Sequence, residues 1–385
     1  MSFSTLALVL VLGLAGPLLS WRTAWHIPVV LGELVAGIVF GATGFGVLHP
    51  SDPTFTFLAD MGFALVMFVA GTHVPVGQPA VRGALGVGAL RAVLVGVAAT
   101  GAGFGLAAWF GTGHGALYSV LIASSSAALV LPIIDAQGLR GRPVLELTAQ
   151  VAIADTACVV ALPLVIDTGA AGRAALGAAA VAGAAAVLWY LLRALERSGV
   201  RRRVHKISED RRFALELRVS LAVLFGLAAL ATRTHVSIML AGFAAGLAVA
   251  GVGEPRRVAR QLFAITDGFL APLFFVWLGA RLNLREFEQQ PRLILLGLAL
   301  GIAAVLAHAL MRILGQPITL ATLAAAQIGV PVAAVTVGAQ LRVLEPGEGA
   351  ALMLGALVTI AASAASVALA ARGKGRDDSA RSTTL

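Results

Sequence analysis

The chain has 385 residues, of which 59% are hydrophobic and only 12% are charged. A soluble domain carries about 25% charged residues, so a chain with half that share has too little polar surface to face water. These figures exclude a set of soluble domains and predict a protein that is mostly surrounded by lipid. The apolar segments are continuous rather than alternating, which favours spanning helices over a β-barrel.

The formal net charge is +9, from 28 Lys and Arg against 19 Asp and Glu. In a soluble protein this excess would raise the question of nucleic acid. In a membrane protein it is typical of basic residues that collect on the cytoplasmic side, so no nucleic-acid partner is expected. The single cysteine, Cys158, excludes an internal disulfide and a cysteine-based metal site.

Thirteen apolar runs are long enough to be predicted as membrane spans. They cover residues 3–20, 26–47, 55–73, 83–110, 115–136, 144–167, 173–194, 213–232, 235–252, 261–280, 292–313, 317–341 and 347–371. The run at 83–110 is long enough to include a reentrant or interfacial part. The first run lacks a basic start and a small-residue exit, which predicts a retained helix rather than a cleaved signal.

The basic residues give an independent test of this count. The longest polar stretch, 193–212, holds eight of them. If it is cytoplasmic, twenty basic residues fall on that side of the membrane and six on the other. This asymmetry predicts a multi-pass protein of the cytoplasmic (inner) membrane, with the amino end outside and the carboxyl end inside.

The linker 196–212 divides a membrane domain, 1–372, into halves of about six helices at 26–195 and 213–371, and a short polar cytoplasmic tail follows at 373–385. Residues 123–128 and 327–331 interrupt apolar runs in the two halves with serine, glycine, glutamine and proline. Many transporters consist of inverted repeats with two such broken helices facing each other. Serine back-bonding and a proline kink are the simpler alternative.

Asp155 lies near the middle of the run 144–167, and no Lys or Arg stands three or four positions away. A carboxylate in the bilayer centre costs roughly 2.5–3.5 kcal/mol on insertion scales. Such a residue is a functional candidate suited to reversible protonation. An Asp that hydrogen-bonds another helix for packing alone is the alternative.

Other ionisable residues in the apolar runs carry weaker signals. Glu33 lies close to a helix end and His308 lies deep in the run 292–313; each is an accessory candidate or a structural residue. Asp60 is expected to be a water-facing acid in the first turn of its helix. Glu216 and Arg218 flank the inner edge of the eighth run, where structural pairing with neighbouring loops is expected rather than ion binding.

Five segments in order resemble the monovalent cation:proton antiporter-2 family of bacterial Na⁺/H⁺ or K⁺/H⁺ exchangers. These segments read PVVLGELVAGIVFG at 28–41, LADMGFALVMFVAG at 58–71, SSSAALVLP at 124–132, VSIMLAGFAAG at 236–246 and LFFVWLG at 273–279. The resemblance covers nearly the whole membrane part of the chain, and it concerns the membrane domain of the family only. No single segment is decisive, but five in the right order on thirteen spans are specific.

The resemblance implies an all-α polytopic protein of the sodium/proton antiporter-like fold, with about 13 transmembrane helices and two crossed discontinuous helices. It implies an elevator-like exchanger with a dimerisation domain, hence a homodimer, in which cation and proton compete for one aspartate. Asp155 matches the second acid of the family's paired motif. Neutral oxygens for Na⁺ or K⁺ would come from Ser124, Ser125, Ser126 and Thr156, with Gln150, Gln327, Glu33 and His308 as accessory residues.

Three departures from the family pattern affect the stoichiometry. The first member of the paired motif is Ala154, no lysine occurs across 299–307, and the Gly-Glu after the second break reads Gly329-Val330. We hypothesise electroneutral exchange of one cation per proton. No cofactor is predicted, and no glycine-rich nucleotide-binding turn follows a strand pattern; a separate regulatory subunit remains open.

The sequence therefore predicts a secondary antiporter that exchanges a monovalent cation for H⁺. A cation channel or uncoupled cation transporter of the same fold is the first alternative. An organic-anion carrier is the second, and the buried carboxylate argues against it. An enzyme is not expected, because neither Cys158 nor the serines has a convincing histidine partner by sequence.

Overall fold

The computed structural model describes residues 1–21, 29–74, 83–167, 169, 171–199, 214–234, 236–252 and 256–382. Every regular element in these ranges is helical. The α-helices, α1 to α18 in chain order, are Phe3–Gly13, Ala15–Ser20, Val29–Phe40, Pro53–His73, Leu85–Phe110, Gly115–Ala123, Ala127–Ala136, Arg142–Ile166, Ala171–Arg197, Leu215–Arg233, Ile238–Ala250, Arg256–Ile265, Ala271–Arg281, Glu286–Gln289, Arg292–Ala309, Ile318–Ala324, Gly329–Leu341 and Glu348–Ser382. A π-helical turn, Thr266–Leu270, joins α12 to α13, and a 3₁₀ segment, Leu310–Leu314, extends α15.

The apolar helices confirm the predicted fold class of a multi-pass membrane protein. Within the described ranges, ten helical stretches are long and apolar enough to cross a membrane, and three shorter apolar helices accompany them. Each matches one of the thirteen predicted runs. The run 83–110 is a single continuous helix, α5, without a reentrant part. The run 26–47 is longer than its helix, because α3 ends at Phe40 and the glycine-rich stretch after it turns.

The chain forms two compact units that interleave along the sequence. The first comprises Met1–Leu14, Glu33–Arg82 and Val159–Leu282. Within it, α4 packs so closely on α11 that a Cβ on Gly71 would collide with the Phe243 carbonyl and one on Gly246 with the Phe68 carbonyl. Small residues on both helices permit this approach.

The second unit comprises Ala15–Gly32, Gly83–Cys158 and Asn283–Leu385. It contains two pairs of short helices, α6 with α7 and α16 with α17, each separated by a break of a few residues. Buried side chains of α7, α8 and α16 form one apolar cluster that includes Val130, Val151 and Leu323. The cluster holds both broken helices against α8, the helix that carries Asp155.

The predicted division into sequence halves remains a prediction, since contacts group the chain in an interleaved order rather than by halves. Of the predicted linker 196–212, residues 200–212 lie outside the described residues. The backbone of α18 is helical as far as Ser382, so the helix includes most of the predicted tail.

Candidate functional site

The first helix break consists of three consecutive serines. The helix α6 ends at Ala123, Ser124 has extended backbone angles, and α7 begins at Ala127. Serine hydroxyls compete for backbone groups and so favour local interruption of a helix; the Ser124 Oγ lies 2.9 Å from the Leu121 carbonyl oxygen. All three serines are buried. A continuous helix with a simple proline kink is therefore wrong here.

The second break lies between α16, which ends at Ala324, and α17, which begins at Gly329. Pro331 stands in the first turn of α17, where a missing N–H costs nothing. Gln327, inside the break, is almost completely buried. The sequence therefore predicted both breaks at the correct places.

The two breaks hydrogen-bond to each other. The Ser126 N–H donates to the Ala326 carbonyl at 2.9 Å, and the Ser125 hydroxyl donates to the Ala324 carbonyl at 2.7 Å. The Ser124 hydroxyl donates to the side-chain oxygen of Gln327. Irregular backbone at membrane depth needs partners of this kind because lipid supplies none.

Asp155 lies beside the first break. It stands in the middle of α8 with 5% of its surface exposed, and its Oδ2 accepts a hydrogen bond from the N–H of Ala127 at 3.0 Å. Ala127 is the first residue of α7, where the helix dipole favours a negative charge. Among the ion pairs in the described part of the chain, none includes Asp155.

His308 is brought to the same place from α15. Its ring is buried, with Nε2 3.3 Å from the Ser125 hydroxyl and Nδ1 2.9 Å from the Ala304 carbonyl. Of the expected site residues, the three serines, Gln327 and His308 therefore meet at the breaks together with Asp155.

Three other expected residues have different surroundings. Thr156 is half-buried, and its hydroxyl donates to the Ala152 carbonyl of its own helix at 2.7 Å. Gln150 is buried, and its side-chain oxygen accepts from Gln316 rather than from a break residue. Glu33 is buried in the first unit. The charge of Asp267, in the same unit, interacts electrostatically with its carboxyl group.

Asp60 differs from its expectation as a water-facing acid of the first turn. The helix α4 begins at Pro53, so Asp60 lies two turns inside it and is half-buried. The positive charge of Arg281, at the end of α13, interacts electrostatically with the Asp60 carboxyl group. The apolar run in the sequence began later than the helix, because Asp52 caps the amino end through Thr54 and Phe55.

Two features were not foreseen from the sequence. One is the backbone N–H of Ala127 as the donor to Asp155; a serine triplet directly before a new helix was the available signal. The other is a buried ion pair between Arg91 and Glu146 at 3.1 Å. In the sequence, Arg91 is a lone basic residue within the apolar run 83–110.

The described part of the chain has thirteen apolar helical stretches, and two of them are interrupted where they meet beside a buried aspartate. This arrangement defines a class of membrane transport protein. The family model described as "Sodium/hydrogen exchanger, transmembrane" matches residues 6–375, which is nearly the whole chain. The chain belongs to this family, which confirms the resemblance drawn from its motifs.

Individual relatives are distant. The chain is 24% identical over 383 residues to YjbQ of Bacillus subtilis, named as a Na⁺/H⁺ antiporter; the match covers 93% of this chain and 61% of the relative. It is 27% identical to KefC of an Enterobacter species, a glutathione-regulated potassium-efflux system protein, over 69% of this chain and 43% of the relative. The matches thus span 61% and 43% of the length of these two relatives.

A solved structure has the same fold. The sodium proton antiporter MjNhaP1 from Methanocaldococcus jannaschii, determined at pH 8, superposes with a TM-score of 0.68 at 17% identity, and the match covers 96% of each chain. At this level of identity the likeness establishes the fold.

Proposed function

We propose that the chain is a secondary active antiporter that exchanges Na⁺ or K⁺ for H⁺ across the membrane by alternating access. The observation that carries the proposal is Asp155, a carboxylate buried within a spanning helix, in contact with the start of α7 and without a basic partner among the described ion pairs. Membership of the exchanger family supports it.

Asp155 binds the cation and the proton in competition. A buried carboxylate that is charged and without a ligand is costly, so the residue changes sides of the membrane with one ligand or the other. The N–H of Ala127 and the amino end of α7 stabilise the charged carboxylate during the exchange of ligands. Because the empty state is disfavoured, the result is exchange rather than leak.

The oxygens of the first break complete the cation site. Ser125 donates its proton to a carbonyl of the other break, so its lone pairs remain for a partly dehydrated cation; Ser124 and Ser126 are in the same buried segment. The hydroxyl of Thr156 likewise donates within its own helix and keeps its lone pairs. Gln327 and His308 hold the serines in place, and Gln150 and Glu33 are accessory residues.

The exchange is electroneutral. Ala154 replaces the first acid of the paired motif, and His308 stands next to a segment without a lysine. With one carboxylate for one cation or one proton, each cycle moves no net charge.

The membrane location and assembly are part of the same proposal. The distribution of basic residues supports an inner-membrane protein with the amino end outside. The family resemblance supports a homodimer, and it is compatible with a separate regulatory subunit.

The test is transport by the purified chain in proteoliposomes. Addition of Na⁺ or K⁺ should collapse an imposed pH gradient, and a voltage-sensitive dye should detect no membrane potential generated by transport. Asp155→Asn should abolish the collapse, because the amide neither binds a proton nor neutralises a cation. Asp167→Asn is the matched control, since Asp167 lies just past the end of the same helix and accepts from Gly169.

Each outcome has a definite meaning. Normal transport by Asp155→Asn contradicts the site. Cation flux without proton movement identifies a channel or uncoupled transporter. Flux of organic anions in place of cations identifies the anion carrier, and a potential generated by transport contradicts electroneutrality.

A further inference from the structure

Four buried polar side chains of the second unit, which we call the polar ring, form two pairs that are linked through the backbone of α8 and of residues 314–316: Arg91 with Glu146, and Gln150 with Gln316. All four lie at or below 9% exposure. The ring joins three elements, namely α5, α8 and the segment between α15 and α16. None of its members hydrogen-bonds to a residue of the two breaks.

Arg91 closes one side of the ring. Its Nη2 donates to Glu146 at 3.1 Å and to the Leu314 carbonyl at 3.3 Å. Glu146 also accepts from Arg142, whose side chain is 81% exposed. A guanidinium therefore reaches from inside α5 to both α8 and the 3₁₀ segment.

Gln316 closes the other side. Its amide donates to the Gln150 oxygen at 3.0 Å. Gln150 stands one turn after Glu146 on α8, and Gln316 stands two residues after Leu314. The helix α8 and the segment 314–316 are thus joined twice. Arg91 bridges them through Glu146 and the Leu314 carbonyl, and the two glutamine amides join them directly.

The position of the ring relates it to the ion site. Gln316 directly precedes Pro317, the amino-terminal cap of α16, and α16 ends at Ala324, the acceptor of the Ser125 hydroxyl. Gln150 precedes Asp155 by five residues, about 7.5 Å along the helix axis. The ring therefore holds the start of α16 next to a position on α8 five residues before Asp155.

Several atoms of the ring lack partners. Arg91 Nε, Arg91 Nη1, Gln150 Nε2 and Gln316 Oε1 are buried and form no hydrogen bond within the described part of the chain. Leaving such a group unsatisfied costs about 1–3 kcal/mol. The set has three donor atoms and one acceptor, which suits water, a ligand that both accepts and donates.

The space beside the ring is small. A Cβ on Gly88 would lie 2.7 Å from both the Ala149 Cβ and the Gln150 nitrogen, so α5 and α8 are in close contact next to Arg91. A larger solute does not fit between helices at this distance.

We propose that the polar ring is a hydrated positioning site: ordered water completes its hydrogen bonds, and the ring holds α16 against α8 so that the second break stays aligned with Asp155. Its members act on the aspartate through the two helices and do not bind the transported ion. The transport measurement that tests this proposal rests on the proposed function. A second measurement is independent of transport.

Cys158 supplies that second readout. It is the single cysteine, it is buried, and it stands one turn after Asp155 on α8. Its rate of alkylation by a membrane-permeant maleimide therefore reports how tightly the surroundings of the site are packed, whether or not the protein transports.

The experiment compares Gln150→Leu/Gln316→Leu with wild type. The apolar pair removes both amides together, so the fold is expected to persist, as checked by thermal unfolding in detergent. Alkylation of Cys158 should become about tenfold faster, and the apparent KM for the cation should rise by a similar factor with little change in kcat. Gln340→Leu, an exposed position on α17, is the control and should change neither.

A second variant pair, Arg91→Met/Glu146→Leu, removes the charged contact without leaving either charge unpaired and should give the same two changes. Unchanged alkylation and KM in both folded pairs overturn the positioning role. In a high-resolution density map, water within hydrogen-bonding distance of Arg91 Nε and Gln150 Nε2 supports hydration, and a dry ring refutes it. Failure of wild type to transport refutes the proposed function and leaves the alkylation result to decide on the ring.

Discussion

Ser125 is the residue at which three parts of the candidate site meet. Its hydroxyl contacts the Ala324 carbonyl of the second break and the Nε2 atom of His308. Both partners are buried and have no access to bulk water. The residue therefore determines whether the buried Ala324 carbonyl keeps its hydrogen bond.

Replacement of Ser125 by Ala should lower the free energy of unfolding by about 1–3 kcal/mol, because it leaves buried groups without partners. Ser119→Ala is the matched control: Ser119 is buried in α6, but its hydroxyl donates only to carbonyls within α5 and α6, chiefly Gly115 one turn earlier at 2.7 Å. Thermal unfolding in detergent measures both. Equal losses in the two variants would show that the contact between the breaks adds nothing.

The site residues that could be predicted are polar or acidic residues that stand within apolar runs of the sequence. An acid and three serines in apolar runs are visible in the sequence, and the structure brings them together. The partner of Gln150 was not predictable: Gln316 is 166 residues away, and the contact depends on how each helix is rotated about its axis. Arg91 was missed for the same reason, because its acid lies on another helix.

At the scale of elements, a second polar cluster joins α6 to α18. Glu348 is completely buried at the start of α18, and its Oε1 lies 2.7 Å from the Nδ1 atom of His114 and accepts from the Tyr118 hydroxyl at 2.6 Å. Its Oε2 accepts from the N–H of Glu345 at 2.9 Å. His114 caps α6 just outside the spanning segment.

This cluster should make stability depend on pH. The hydrogen bond to Glu348, with the attraction of its charge, raises the pKa of His114 above its usual value of about 6.5. The imidazolium is therefore favoured in the folded state, and its stabilisation is complete below the unfolded value and declines as pH rises through the folded one. The melting temperature of His114→Gln should fall furthest below wild type at acidic pH, and the gap should narrow in alkaline buffer. A gap that is constant with pH contradicts this linkage.

Close packing between α4 and α11 leads to a prediction about glycine. Gly246→Ala should destabilise the protein by about 1–3 kcal/mol, because the methyl group meets the Phe68 carbonyl in a contact that cannot relax cheaply. Gly226→Ala, in α10 with open space around it, should instead stabilise by about 0.5–1 kcal/mol. We expect Gly246→Ala to melt below wild type and Gly226→Ala to melt above it. A melting temperature of Gly246→Ala above wild type would contradict the prediction.

The existence of these elements followed directly from hydropathy, since a stretch of about 20 apolar residues has few other solutions. Their ends were less predictable. The helix α3 stops at Phe40 although apolar residues continue to Val47, and α4 begins before its apolar run because Asp52 caps it. Termini depend on local turns and caps, which add little to the average hydropathy of a run.

For the whole molecule, the orientation in the membrane can be tested on α9. This helix has 27 residues, Ala171–Arg197, about 40 Å long, and therefore exceeds the hydrocarbon thickness. Exposed Arg173 and Ser198 mark its two ends. In a Cys158→Ser background, Arg173→Cys in intact cells should react with an impermeant maleimide, and Ser198→Cys should react only after permeabilisation. The opposite pattern would reverse the proposed orientation.

The hydrogen bonds between the two breaks have a consequence for biosynthesis. Ser125 and its acceptor are 199 residues apart, so the first break emerges from the ribosome long before its partner exists. Until then the Ser126 N–H and the Ser125 hydroxyl lack the acceptors that the second break supplies, and lipid offers none. Segment 124–126 must therefore remain in a sheltered, hydrated place, such as the insertion machinery, while the rest of the chain is translated. We therefore expect the first break to reach its final stability only after residues 324–326 have been inserted.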